Sequence, residues 1–236
     1  MSNTPLGWAA VAGHEEVVEV LLSRDDIDPD KPDENGQTPL LQAVRNGHER
    51  VVKLLLGRDD IDPDKPNSLD QTPLHFATSD GHEGVVKLLL GREDVDPNKQ
   101  DVFGTTSLLI VTWSGCEGIL KLLLERDDVD PNMPGVDGRT PLSYAARNGR
   151  EAVVKMLLGR DDIDPNTSDE DGRTPLWRAA YRGHEGVVKL LLGREGILPG
   201  KPDVYGRTPL WAATENGYSR IIALLQPLTS TTHSTA

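Results

Sequence analysis

The sequence predicts an all-α fold, a solenoid of stacked helix-turn-helix units joined by hairpin-like loops, and three observations carry that prediction. Thr-Pro falls at Thr4, Thr38, Thr72, Thr140, Thr174 and Thr208, with Thr106-Ser107 in the remaining place, so a 34-residue unit recurs seven times. Each unit holds two short stretches of helical periodicity with a glycine between them. Each then closes on a run rich in Asp, Pro and Gly, such as DDIDPDKPDENGQ from Asp25, which is a turn-forming connector.

The elements follow in order when the Thr is taken as column 1. Thr can accept the early amide hydrogen bonds of a helix, and Pro sits at the first helical position, where its missing N–H costs nothing. Columns 3, 6, 7 and 10 are nearly always Leu, Ala, Ala and Gly, which puts small residues on one face and lets a neighbouring helix approach. A second helix follows, for example His48 to Arg58, with Glu in its first turn and Arg at its end, both matched to the helix dipole. Its Val-Val-x-Leu-Leu-Leu pattern supplies most of the apolar burial. The units lie near 4–37, 38–71, 72–105, 106–139, 140–173, 174–207 and 208–228, and are expected to form a single domain over 1–228. The last helix is expected to stop at Pro227, and the Ser/Thr-rich tail, 229–236, to be disordered.

Composition narrows the function. The 236 residues carry 25 Lys and Arg against 38 Asp and Glu, a formal charge of −13, which argues against affinity for nucleic acid or anionic membranes. Cys116 is the only cysteine, so no internal disulfide can form, and a reducing compartment is expected: the cytoplasm, with the nucleus as the alternative. The longest apolar runs are too short to span a bilayer. Asp26-x-Asp28-x-Asp30 overlaps the start of a calcium loop but lacks its Gly and Glu. His14, His48, His82 and His184 lie a repeat apart, too far to share a metal, and read as turn-side hydrogen-bonders opening the second helix. No phosphate loop, nucleophile elbow or CxxC pair occurs. The expectation is therefore no catalytic residue, no metal and no cofactor.

TPL, then Ala-Ala-x-x-Gly-His, a Leu-rich helix and a loop ending Asp-x-x-Gly before the next TPL resembles the ankyrin repeat, from about Thr4 to Leu225. The usual repeat is one residue shorter, and its Gly after the second helix is here Asp25, Asp59 or Glu93. The RDDIDPD-type connectors are similar to ankyrin tracts of fungal proteins, including NOD-like receptors. The resemblance implies an ankyrin-repeat solenoid that binds another protein, without naming the partner. It also implies that His75, in TPLH, is an inter-repeat hydrogen-bonder.

Stacked repeats expose the first helices and loop tips on a concave surface. Columns 5, 8 and 9 form the stripe opposite the core, and columns 31 and 32 form the tips. Seven of the ten aromatic residues fall in those five columns, and aromatics with Arg dominate interfaces. Alternatively, aromatics collect there because core columns cannot admit them. Candidate partner-binding residues are Phe76, Trp113, Tyr144 and Tyr181 as apolar anchors, Arg147, Arg178 and Arg182 as carboxylate readers, and Phe103 and Tyr205 at the tips. Column 34 adds Arg139, Arg173 and Arg207, either as a basic strip or as partners of nearby Asp137 and Asp171.

The expected partner is another protein offering an acidic or amphipathic segment, with the chain a monomer. Two alternatives stand beside this: a small-molecule or catalytic groove around Trp113, Tyr144 and Tyr181, and an engineered, consensus-like scaffold without a natural target. Repeat 4 departs at Ser107, Val111, Thr112 and Cys116, where larger side chains should alter stacking; tuned curvature and drift both fit. The chain reads equally as a fragment or as a complete small protein.

Overall fold

A computed structural model describes residues 4–229 and contains fourteen α-helices and no strand among them. The chain divides into two compact units, Met1–Val129 and Asp130–Ala236, the division falling inside the fourth connector. The first holds α1 (Pro5–Ala12), α2 (Glu15–Leu22), α3 (Pro39–Arg45), α4 (Glu49–Leu56), α5 (Pro73–Ser79), α6 (Glu83–Leu90), α7 (Ser107–Ser114) and α8 (Glu117–Leu124). The second holds α9 (Pro141–Arg147), α10 (Glu151–Leu157), α11 (Pro175–Arg182), α12 (Glu185–Leu192), α13 (Pro209–Glu215) and α14 (Ser219–Thr229). Within each unit, first helices pack on first helices and second helices on second helices.

The caps act as the Thr-Pro pairs predict. Thr4, Thr38, Thr106, Thr140, Thr174 and Thr208 each accept the amide three residues on, at 3.0 to 3.2 Å. Because Thr106 keeps this bond, α7 forms although Ser107 replaces the proline. Thr72 differs: its N–H donates to His75 Nδ1 at 3.1 Å, and His75 Nε2 then donates to the Thr105 carbonyl one repeat on at 2.8 Å. Burial holds this imidazole below the ordinary histidine range, which keeps Nδ1 free to accept. The second helices bury columns 14, 15 and 18, such as Val51, Val52 and Leu55.

The column-11 histidines do not cap the helices they precede. Instead Nε2 of His48, His82 and His184 reaches the preceding repeat, at the carbonyls of Val11 (3.0 Å), Arg45 (3.3 Å) and Arg147 (2.9 Å). Their rings also explain the glycine in column 10. A Cβ on Gly13 would lie 2.8 Å from the His48 ring, and one on Gly149 2.6 Å from that of His184.

The connectors are ordered by charge-assisted bonds. Arg58 grips Asp60 with Nε and Nη2 at 2.7 and 2.6 Å while Nη1 donates to the Leu22 carbonyl at 2.6 Å, and Arg92 does the same with Asp94 and Leu56. The expected stacking defect in repeat 4 is absorbed: Val111 and Thr112 are buried, and the Thr112 hydroxyl donates to the Leu109 carbonyl at 2.7 Å. At the other end α14 does not stop at Pro227 but carries it in its last turn. Only one carbonyl, that of Ala223, loses its helical amide there, and Ala223 is exposed. Residues 230–236 of the expected tail lie outside the described residues.

Candidate functional site

The candidate residues divide between the units: Phe76, Phe103 and Trp113 belong to the first, the other six to the second. In the first unit Phe103 stands 59% exposed at a hairpin tip, and Trp113 is exposed on α7. Phe76 is half-buried beneath the Arg45 guanidinium, 4.9 Å from the ring centroid. Successive tips touch through their backbones, since the Val102 amide donates to the Leu69 carbonyl at 3.1 Å.

In the second unit Tyr181 stacks on Trp177 with ring centroids 5.1 Å apart and planes at 14°. Trp177 is buried, and its Nε1–H donates to the Arg207 carbonyl 30 residues on at 2.9 Å. This is the same inter-repeat bond that His75 makes from the same column. Arg173 lies 4.6 Å over Trp177, and Arg207 lies 4.5 Å over Tyr205 and 5.1 Å over Trp211. Tyr205 is 69% exposed at its tip. The result is an aromatic and guanidinium surface on α11, α13 and the hairpin between them.

One expectation about the stripe is corrected. From the second repeat on, column 5 turns inward: Gln42, Arg178 and Ala212 are buried, and Phe76, Ile110 and Tyr144 are half-buried, while Trp8 in the first repeat is 56% exposed. The reason is that the preceding hairpin folds against this column. Gln42 Nε2 donates to Asp33 at 3.1 Å, Tyr144 Oη donates to Asp137 at 2.7 Å, and Arg178, 7% exposed, is bound by Asp169. Arg178 thus reads a carboxylate, but an internal one. Burial and then the Asp137 carboxylate push the Tyr144 phenol up to about 12.

Of the two readings of column 34, pairing with nearby aspartates is the one observed. Arg139 pairs with Asp137 at 2.7 Å, Arg173 with Asp171 at 2.8 Å and Arg207 with Asp203 at 2.7 Å, so column 34 is neutralised within its own hairpins. Arg147 and Arg182 make no ion pair among the described residues. Trp177 and Trp211, which build the surface, lie in column 4, outside the five columns singled out. Their signal is that column 4 holds the imidazole of His75 and two indoles among otherwise unremarkable side chains. Apart from this surface, a groove of about 660 Å³ runs along α2 and α4, lined by Glu15, Glu19, Leu22, Arg50, Lys53 and Arg58.

A family model described as ankyrin repeats (3 copies) matches residues 1–67, 74–169 and 161–233, and one described as ankyrin repeats (many copies) matches residues 49–90. No curated protein matches the chain. Among solved structures, the chain is similar to the ankyrin repeat domain of Bcl-3, a member of the IkappaB protein family. The identity is 27% and the TM-score 0.85, over 95% of this chain and 99% of that one. It is similar also to the ankyrin repeat protein EF0377, with 26% identity and a TM-score of 0.76 over 83% of this chain and 100% of that one. A third similar structure is an ankyrin repeat domain from Acinetobacter baumannii AYE, with 27% identity and a TM-score of 0.73 over 80% and 96%.

Proposed function

Because the chain belongs to the ankyrin repeat family, we propose that it is a non-catalytic recognition module that binds another protein through its variable first-helix and hairpin-tip side chains. Ankyrin repeats generally mediate protein–protein interaction. The observation that carries the reading further is the placement of large aromatics. Phe103, Trp113, Tyr181, Tyr205 and Trp211 are exposed on a scaffold whose capping and small-residue core columns barely vary. Exposed aromatic clusters of this kind mark contact sites. With the hairpin arginines paired internally, Arg147 and Arg182 remain to meet carboxylates, so the partner segment is amphipathic rather than uniformly acidic. A monomer in a reducing compartment suits the single Cys116.

The test is capture from native lysate with the wild type beside a Trp113→Ala, Tyr181→Ala variant, both first shown to have the same circular dichroism and melting curve. A protein retained by the wild type and lost with the variant is the expected result. A partner captured equally by both rejects these anchors.

A further inference from the structure

Column 33 is the sharpest point of every hairpin. Gly36, Gly104, Gly138, Gly172 and Gly206 occupy it with φ between 66° and 77°. At three of these glycines the place is crowded too: a Cβ would lie 3.1 Å from the Ser68 amide at Gly36, 3.0 Å from the Glu170 amide at Gly138 and 2.9 Å from the Val204 amide at Gly172, whereas nothing lies within 4 Å at Gly206. Asp70 stands there in the second repeat with φ 58°, the one non-glycine residue with positive φ among the described residues. A side chain in this conformation is strained, and persistent strain of this kind concentrates at functional positions.

The turn's own bonds hold the backbone there, the Asp70 amide donating to the Asn67 carbonyl at 3.1 Å and Asn67 Oδ1 accepting the Leu69 and Gln71 amides at 2.9 and 3.0 Å, but no contact of the side chain adds to them. The Asp70 side chain is exposed and makes no hydrogen bond or ion pair with a described residue. Beside it in sequence is exposed Leu69, whose carbonyl receives the Val102 amide, and Phe103 follows, also exposed. A free carboxylate therefore rises at the edge of an apolar tip patch. The surrounding unit is net acidic. Residues 1–129 carry 12 Lys and Arg against 25 Asp and Glu, the whole −13 of the chain, while residues 130–236 carry 13 of each. Arg45, on the inner helices of the first unit, already lies over the Phe76 ring.

We propose that Asp70, Leu69, Val102 and Phe103 form a docking point for a cationic, apolar segment of a partner protein. A Lys or Arg side chain is held by the Asp70 carboxylate while a neighbouring apolar residue lies on Leu69, Val102 and Phe103. This rests on the recognition reading above and adds the partner's chemistry. An acidic segment is repelled by the net charge of this unit, which instead accelerates association of a basic one.

The test pans a random linear 12-residue peptide library, displayed on phage, against the full-length chain. The expected binders place Lys or Arg beside Leu, Ile, Phe or Trp. A synthetic representative should weaken about two- to fivefold with Asp70→Asn, the worth of one exposed ion pair, and weaken further with Phe103→Ala or added salt. Asp70→Gly should lower binding equally while leaving the melting temperature unchanged or up by about 2 °C, because the strain is relieved. Binding lost without any loss of stability is what a merely structural residue would not produce. Binding unchanged in Asp70→Asn and Asp70→Gly, an acidic consensus, or no binder at all overturns the docking point. Peptides that lose binding with Tyr181→Ala or Tyr205→Ala but not with Asp70→Asn overturn it and leave the recognition reading standing. Peptides indifferent to all of these substitutions overturn both.

Discussion

Asp30→Asn should stabilise the protein at neutral pH. Column 27 includes Asp30, Asp64, Asn98, Asn132 and Asn166, and at Asn132 and Asn166 two bonds join the connectors. Asn132 accepts the Asp164 amide at 2.8 Å and donates to the Asp162 carbonyl at 2.8 Å, and Asn166 accepts from Leu198 at 2.9 Å and donates to Gly196 at 2.8 Å. Asp30 accepts the Asp62 amide at 2.7 Å with Oδ2, but Oδ1 is buried without a partner, in the place where an asparagine amide donates. Burial raises the Asp30 pKa, with the Asp62 amide and Lys65 opposing.

An amide at this place removes a buried charge and turns an unmet acceptor into a donor. A buried unsatisfied polar group costs about 1–3 kcal/mol, and a completed hydrogen bond returns about 1 kcal/mol, so a gain of about 1–2 kcal/mol is expected. In a chain of this size that is a rise of about 2–8 °C in melting temperature. Asp64→Asn should gain less, because the same Asp64 oxygen that accepts the Asp96 amide lies 3.5 Å from Lys99 Nζ, and that ion pair is lost. The sign with pH is fixed by the raised folded-state pKa. The penalty is fully present above it and is relieved as pH falls through it towards the ordinary aspartate value of about 4, where the protonated carboxyl donates as the amide does. The advantage of Asp30→Asn should therefore fade on acidification. A variant no more stable than wild type at pH 7, or one whose advantage is undiminished at pH 4, refutes the argument.

Trp177→Phe keeps a ring against Tyr181 but leaves the Arg207 carbonyl without its donor, and should lower stability by about 1–3 kcal/mol in urea unfolding; equal stability would mean the indole N–H contributes nothing. Tyr144 should be a late tyrosine to ionise in an absorbance titration, near 12, and Asp137→Asn should bring it down towards the ordinary value of about 10 without reaching it, since burial persists. Its raised pKa adds stability that is lost as pH climbs from about 10 to 12.

The repeat arithmetic made the helices legible because cap, proline and glycine each act within three or four residues of themselves. Thr38 finds Leu41, and the turn residues find their own amides. What the columns concealed were contacts that leave the helix. Column 5 looks solvent-facing on a helical projection, yet Arg178 meets Asp169 nine residues back because the hairpin returns against α11. The charge of column 34 was legible, but the pairing of Arg139, Arg173 and Arg207 depends on hairpin geometry that a projection omits. Trp177 shows the same failure from the other side, a core column whose occupant reaches the next repeat and supports an exposed ring. Of the candidate residues, Phe103, Trp113, Tyr181, Arg182 and Tyr205 are exposed as their columns indicate, and Arg147 is partly so.

Buried unsatisfied side-chain atoms are shared evenly between the two units, but net charge, the orphaned carboxylates and a positive-φ aspartate imply that the first is the less stable. In a repeat array, stability is close to a sum of repeat terms and nearest-neighbour terms, so local defects are felt locally. The first unit contains both orphaned column-27 carboxylates, Asp30 and Asp64, and the strained Asp70. It also has Val17 48% exposed on α2, in a column whose other members, such as Val51, Val85 and Ile119, are buried. Its charge of −13 adds self-repulsion that the neutral second unit lacks. The second unit has the Asn132 and Asn166 bonds and the Arg–Asp pairs of its hairpins. Hydrogen exchange should therefore show the amides of α1 to α4 opening before those of α9 to α12, with the gap narrowing as salt screens the acidic unit. Slower exchange in α1 to α4 than in α9 to α12 would contradict the reasoning. The expected order also has a consequence for recognition: the unit that opens more easily is the one bearing Asp70, so a segment bound there protects α3 to α6 as well as the tips it touches.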